Sequence, residues 1–230
     1  MKSSDNLTPH LSTDYDSQIR DTIPYYDCFH DETIRFILST KLEPKYWLDT
    51  GCGTGSFVKK ALAAFPLTSF TLADPSAEML SMAKNKLSKR IGKNIRILDP
   101  APTQSLPISD LEEFDIVSAI QSHHYLTVDG RLEATRKCFE LLRNGGIYIT
   151  FENVRPLTER GTVLGKGYWW QYQLSKGRDP KTVEKHLKRF GNEYFPITVE
   201  EHLSMLRRCG FSTVEIFWYS YVQAGFYCVK

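Results

Sequence analysis

Asp49, Gly51, Gly53 and Gly55 fall within one short stretch, Trp47-Leu48-Asp49-Thr50-Gly51-Cys52-Gly53-Thr54-Gly55, and Asp74 follows about 20 residues after the central glycine. Tyr46-Trp47-Leu48 reads as the end of a buried strand, and Ser56-Phe57-Val58-Lys59-Lys60-Ala61-Leu62 as the opening of a helix. Glycines at such a turn let the backbone bend tightly and approach a ligand with no Cβ atom in the way. A dinucleotide site spaces its glycines G-x-G-x-x-G and places a pyrophosphate on the helix N-terminus. The spacing here is G-x-G-x-G. A carboxylate two residues ahead of it would repel a pyrophosphate but suits a cationic amino group. Asp74 stands where a ribose-binding carboxylate is expected; its structural alternative is a cap on the helix after Asp74-Pro75-Ser76.

A second group with chemical potential is Gln121-Ser122-His123-His124-Tyr125, directly after the apolar run Phe114-Asp115-Ile116-Val117-Ser118-Ala119-Ile120. Open α/β sheets bind ligands at the carboxyl ends of their strands, so His123 or His124 is the candidate general base. The competing reading is a pair of buried packing histidines.

These residues need a scaffold, and the chain supplies an alternating β/α pattern. Strands are expected at Tyr46–Asp49, Ser69–Ala73, Ile95–Leu98, Phe114–Ile120 and Ile147–Phe151. Helices are expected after Ser56, from Ala77 and over Asp129–Leu142, the last stopped by Asn144-Gly145-Gly146. Nearly continuous apolar strands between amphipathic helices indicate a parallel sheet covered on both faces. A helix over Val199–Cys209, then Thr213–Phe217 and Gly225–Val229 with a short link, points to an antiparallel hairpin at one edge. Residues 1 to about 18 read as a polar, poorly ordered tail, and Ile19–Thr40 as helical pieces ended by Pro44. The expected organisation is a tail with cap helices over 1–44 and one α/β domain over 45–230.

Composition sets the remaining bounds. With 230 residues, 41% hydrophobic content and a net charge of +2, the chain is an ordinary globular protein with no global field for nucleic acid or membrane. No long apolar run and no signal-peptide core are present, and the five scattered cysteines contain no C-x-x-C pair. The expectation is a cytoplasmic protein with reduced thiols and no metal site, either monomer or homodimer.

The pattern D-x-G-x-G-x-G over Asp49–Gly55 resembles motif I of the class I S-adenosylmethionine-dependent methyltransferases. That resemblance implies a Rossmann-like sheet of seven strands, mostly parallel, with an antiparallel edge strand and helices on both faces. It implies a loop of Asp49, Gly51, Cys52, Gly53 and Gly55 under the methionine part of the cofactor. Asp74, with Pro75 beside it, would accept both ribose hydroxyls. Met79, which alone reads as helix core, would pack on the adenine. Asp99, otherwise a turn residue before Pro100, would with Ala101 contact the adenine amino group, and Gln121 at the end of its strand would shield the sulfonium. Arg143-Asn144-Gly145-Gly146 is similar to the family's L-x-P-G-G turn. The implied activity is methyl transfer from S-adenosylmethionine, leaving S-adenosylhomocysteine, to a small molecule, with no metal.

The part that is not generic is an inserted helical lid at about 153–197, too long for an ordinary connection. It holds Tyr168, Trp169 and Trp170 as candidate substrate-lid residues, and nine basic against four acidic side chains, a net +5. Lys181–Arg189 reads as a solvated helix face; the alternative is a site for an anionic or aromatic small molecule, or an RNA backbone. The segments Tyr15-Asp16-Ser17-Gln18-Ile19-Arg20 and Ile23-Pro24-Tyr25-Tyr26-Asp27, with the end Gln223–Lys230, are also similar to the tRNA wobble-uridine carboxymethyltransferases. In that family an N-terminal tyrosine closes over the cofactor, which implies Tyr26, with Tyr25 as the alternative, as a cofactor contact. The loop departs from that family at Cys52-Gly53-Thr54, so ordinary S-adenosylmethionine is the expected cofactor. A tRNA-modifying (carboxy)methyltransferase using the insertion as an RNA surface is the alternative function.

Overall fold

The apolar run Tyr46–Thr50 forms β1, buried at every position after Tyr46, and it is flanked by β2 (Ser69–Ala73) and β4 (Phe114–Ile120) in parallel register. The computed structural model describes residues 5–107 and 113–230. Within them β3 (Ile95–Ile97), β5 (Leu142–Asn153), β6 (Thr213–Ser220) and β7 (Gln223–Val229) complete a seven-stranded sheet of order β3-β2-β1-β4-β5-β7-β6. The expected hairpin is present, with β7 lying antiparallel between β5 and β6. The strand order reverses between β1 and β4, which run parallel, and the crevice at that switch point opens at the carboxyl ends of both strands.

Helices α3 (Ser56–Ala64), α4 (Ala77–Leu87) and α5 (Val128–Leu141) follow β1, β2 and β4 as the pattern requires. Ser76 caps α4 by accepting the Met79 N–H at 3.1 Å. One boundary differs from expectation. Asn144-Gly145-Gly146 does not stop a helix: α5 ends at Leu141, and the three residues lie in β5, where Gly145 has φ +73° beside a register break in the β4–β5 ladder. The reason is an irregularity of the ladder: between Phe114↔Leu142 and Ile116↔Ile147 the β5 side carries three extra residues, absorbed by a turn at the left-handed Gly145.

The expected cap helices are present, but the segment ahead of them, expected as a poorly ordered tail to about residue 18, is packed from residue 5 onward. Helices α1 (Tyr15–Thr22) and α2 (Tyr26–Ser39) bury Ile19, Phe29 and Ile37 in the same core as Trp47, Phe70 and Phe151. Phe29 stacks on Phe151 at 5.0 Å. Residues 5–14 are tied down. Asp5 accepts from the Ser76 hydroxyl and from the Ala77 N–H at 2.8 Å, His10 Nε2 pairs with Thr22 Oγ1 at 2.9 Å, and the Leu7 carbonyl accepts from Arg189. Polar composition points to disorder, but these polar side chains find partners on α4 and in the insertion.

The insertion folds as α6 (Glu159–Ser175) and α7 (Pro180–Lys188), and α8 (Val199–Arg208) comes next, opened by a reciprocal Thr198/Glu201 capping box. Its contacts run to α1: Trp169 Nε1 donates to the Thr22 carbonyl at 2.6 Å and the Tyr172 hydroxyl to the Arg20 carbonyl at 2.6 Å. The insertion therefore braces the N-terminal cap against the sheet.

Candidate functional site

A cavity of about 320 Å³ lies over the carboxyl ends of β1, β2 and β4. Its floor is the glycine loop. Gly51 has φ +65°, and a Cβ there would stand 2.3 Å from the Ser122 Cβ, so only glycine lets the loop close against the end of β4. Gly53 has φ +53° with nothing within 4 Å of a Cβ position, so its open side leaves backbone free to meet a ligand. Gly55 is off the cavity wall and serves packing instead, since a Cβ there would meet Leu87 and Ala83 of α4 at 3.1 and 3.2 Å.

Asp49 is 2% exposed and lines this cavity. Its carboxylate accepts one side-chain hydrogen bond, from the Ser118 hydroxyl at 2.6 Å, which in turn accepts from Trp47 Nε1 at 2.9 Å. A core tryptophan and a β4 serine thus fix the carboxylate's direction. Burial pushes its pKa up to about 7, against the lowering effect of the Ser118 bond and with a further push from Asp74. A buried carboxylate with no cation among the described residues is a site for a cationic ligand group.

Asp74 also lines the cavity; burial raises its pKa, against the backbone bonds that it accepts from Ser76 and Gly53. Those bonds are 2.9 and 2.8 Å long and go to different carboxylate oxygens. Each oxygen keeps acceptor capacity for a hydroxyl. Both sequence readings of Asp74 meet here, because one oxygen holds the turn before α4 while the carboxylate faces the cavity.

Cys52, Pro75, Met79, Gln121 and Tyr26 stand on the wall as expected. Asp99 and Ala101 do not. The chain turns outward at Asp99, which is exposed, and the Ala101 N–H binds the Asp74 carbonyl at 3.2 Å, so Pro102, Thr103 and Gln104 take the wall beside Met79. Among the described residues, three polar atoms on the wall are buried and unpartnered: Gln121 Nε2, Ser122 Oγ and Gln104 Oε1. Gln121 holds φ +56°, a conformation that a side chain at this turn adopts only under constraint.

The two histidines separate. His123 lines the cavity, with Nδ1 3.2 Å from the Tyr148 hydroxyl and Nε2 3.3 Å from Thr103 Oγ1; burial lowers its pKa to about 4, so the ring is neutral. His124 lies off the wall, 1% exposed. Its Nδ1 binds Glu152 at 2.8 Å and its Nε2 faces Asn153 Nδ2 at 3.2 Å. Burial lowers the His124 pKa, while Glu152 is held down to about 2 by its bond from His124 against the upward push of burial. The charge therefore resides on Glu152, and His124 is a neutral donor. Glu152 also accepts both backbone N–H groups of the pair and the Thr150 hydroxyl. This buried carboxylate, unforeseen from sequence, fixes the 123–124 turn.

The roof comes from the N-terminal cap. Leu7, Thr8, Tyr15, Tyr26 and His30 line the cavity with Phe57 and Tyr125. Asp16 anchors this cap to the glycine loop by accepting from Thr54, Ser56 and Lys86 at 2.7, 2.7 and 2.6 Å. Burial would raise the Asp16 pKa, but these donors hold it below the ordinary value.

The expected lid residues are elsewhere. Trp169 is fully buried between α1 and His186, Trp170 is half-buried against the core, and Tyr168 stacks on Tyr221 at 3.8 Å; none lines the cavity. Most of the insertion's cations are engaged: Arg155 with Glu201, Lys188 with Glu184, Arg189 with Glu193, Arg178 with Thr22 and Gln173, and Lys166 and Lys176 over Phe190 and Tyr172. Among the described residues no group of three or more His, Cys, Asp and Glu side chains could hold a metal ion, and no helix is long and apolar enough to cross a membrane.

Residues 48–148 match a family described as a methyltransferase domain. The chain is similar to the carboxy-S-adenosyl-L-methionine synthase of Nautilia profundicola, 19% identical, over 88% of this chain and 84% of that protein. Among solved structures it is similar to an O-methyltransferase-like protein of Nostoc punctiforme, with a TM-score of 0.68, 16% identity, and coverage of 100% of this chain and 64% of that one. Human N-acetylserotonin methyltransferase in complex with S-adenosylmethionine superposes with a TM-score of 0.60 at 15% identity, over 95% of this chain and 53% of that one. The chain thus spans about half to two thirds of the length of these solved neighbours, which share its fold.

Proposed function

We propose that the chain is a class I S-adenosylmethionine-dependent methyltransferase and that it methylates a small molecule at the cavity over Asp49. The observation that carries this reading is the Asp49 carboxylate, buried, aimed by Ser118 and, among the described residues, without a cation of its own. Asp49 would hold the cofactor's ammonium group, Asp74 its ribose, the open face of Gly53 its backbone-proximal atoms, and Met79 with Pro75 its adenine. When bound, the cofactor supplies a methyl group activated on a sulfonium, so the protein needs little covalent chemistry of its own. What the chain contributes is orientation and exclusion of water by Leu7, Thr8, Tyr15 and Tyr26. His123, neutral and on the wall, remains the candidate to receive a proton at a ring nitrogen; His124 supports it through the shared Glu152 turn.

Calorimetric titration with S-adenosylmethionine tests the reading. Binding that Asp49→Asn weakens is expected; absence of binding to the intact protein refutes it.

A second reading is favoured by the relative named as a carboxy-S-adenosyl-L-methionine synthase: production of a carboxylated cofactor rather than a methylated acceptor. Mass spectrometry of the cofactor after incubation with candidate carboxylate donors separates the two, since only this reading yields a heavier cofactor. The tRNA reading has weaker support, because few of the insertion's cations are left for phosphates; steeply salt-dependent tRNA binding would restore it.

A further inference from the structure

Given the methyltransferase reading, on which this inference rests, one stretch of the cavity has so far been given only the exclusion of water and, at Tyr26, an edge of the cofactor, while Asp49, Asp74 and the glycine loop are given to the cofactor itself. It is a contiguous aromatic wall. Tyr15 and Tyr26 meet edge to face at 6.5 Å, Tyr26 and His30 at 5.1 Å, and His30 and Phe57 at 5.5 Å, with Tyr125 beside Tyr15. All five line the cavity. His30 is 4% exposed on α2, and among the described residues its ring nitrogens have no hydrogen-bond partner. The nitrogens of His123 and His124, by contrast, are all engaged.

The charges around this wall are one-sided. The wall carries Asp5, Asp49 and Asp74 and, among the described residues, no lysine or arginine. The groups facing His30 from outside are Asp27 and Asp31 on its own helix, Lys60 of α3 and Arg20 of α1. Those cations are already paired, Lys60 with Asp31 and Arg20 with Asp27. Arg189, near Tyr125, is paired with Glu193. An anionic molecule here would be buried with no counter-charge and beside carboxylates, whereas a neutral planar molecule would lose little on leaving water. Burial keeps His30 neutral and the tyrosine hydroxyls protonated, so the wall offers one imidazole acceptor among phenol groups.

We propose that this wall is the acceptor subsite, that it takes an uncharged, planar, hydroxyl-bearing aromatic molecule, and that a ring nitrogen of His30 accepts the hydrogen bond of its hydroxyl. This narrows the acceptor beyond the anionic or aromatic class suggested by the insertion's charge. It also moves acceptor recognition from the insertion to α1 and α2.

The probe is 4-nitrophenol, titrated into protein saturated with S-adenosylhomocysteine at a pH where colourless phenol and yellow phenolate coexist. Binding of the phenol form is expected, seen as loss of the yellow band, with 4-nitrobenzoate binding at least about tenfold more weakly. His30→Asn and His30→Ala should each weaken 4-nitrophenol about tenfold while the coproduct affinity stays within about twofold. Preferential binding of the phenolate, equal binding of the benzoate, or no phenol binding overturns the proposal. So does a His30 effect that is nil, or that is the same on both ligands. Failure of the intact protein to bind S-adenosylhomocysteine is a different result, and it overturns the methyltransferase reading itself.

Discussion

Replacing Asp49 by Asn removes one charge and keeps the shape, and the structure sets the size and sign of the effect. With a carboxyl pKa of about 7, roughly half of the free protein carries a neutral Asp49 at pH 7 and about nine tenths at pH 6. An ammonium group seated on the carboxylate favours its charged form, so binding must expel that proton. Affinity for S-adenosylmethionine should therefore rise about fiftyfold from pH 5 to pH 7 and level off above pH 8. Loss of a charge-assisted hydrogen bond of about 1.5–3 kcal/mol should weaken Asp49→Asn roughly ten- to hundredfold at pH 8 and flatten the pH dependence. Calorimetry in two buffers of different ionisation enthalpy counts the protons released. The same burial penalises the free fold. Asp49 titrates higher in the folded chain than in the unfolded one, so its penalty is absent below about pH 4 and grows as pH rises through 7. Asp49→Asn should then stabilise the ligand-free protein by up to about 4 kcal/mol at pH 8 and hardly at all at pH 4. Unchanged affinity, or no proton release at pH 6, would refute the reasoning.

Three other outcomes are expected. Glu152 has a depressed carboxyl pKa, so its stabilisation is present above about pH 4.5 and is lost as pH falls towards 2. Glu152→Gln should cost about 3 kcal/mol in urea unfolding at pH 7, with the gap from the parent narrowing in acid. Trp169→Ala should cost about 3–5 kcal/mol by the same assay, whereas Trp169→Phe should bind S-adenosylhomocysteine almost normally, as befits a brace off the cavity wall. Asp16→Ala cuts the tether to Thr54, Ser56 and Lys86, and stopped-flow fluorescence should show cofactor leaving several-fold faster.

The glycine loop, Asp49 and Asp74 were legible in the sequence because their chemistry is local: a strand end, a tight turn and a fixed interval to the next strand. The strands from Tyr46 to Ile120 were legible for the same reason, being short apolar runs with clear breaks. Trp169 misled because an aromatic pair in a long insertion looks like a ligand wall, and only the tertiary contact to Thr22 shows it to be a brace. Glu152 gave no signal, since nothing near it in sequence reveals that it receives the backbone of residues 123 and 124. His30 did leave a trace. It sits on the stripe Tyr26, His30, Thr33 and Ile37 of α2, a titratable group on a buried helical face, and that spacing is visible in the chain alone.

The division of the cavity between chain segments has an evolutionary consequence. The groups given to the cofactor stand on strand ends that also hold the sheet together, so Asp49, Gly51 and Asp74 are not free to drift. Tyr15, Tyr26 and His30 stand on two helices that precede β1 and are clamped mainly by α6 and the sheet's outer aromatics. Substitutions in those helices can exchange one acceptor for another while the methyl-donor machinery keeps its ancestral form. A lineage could thus diversify its products by rewriting the two helices ahead of β1.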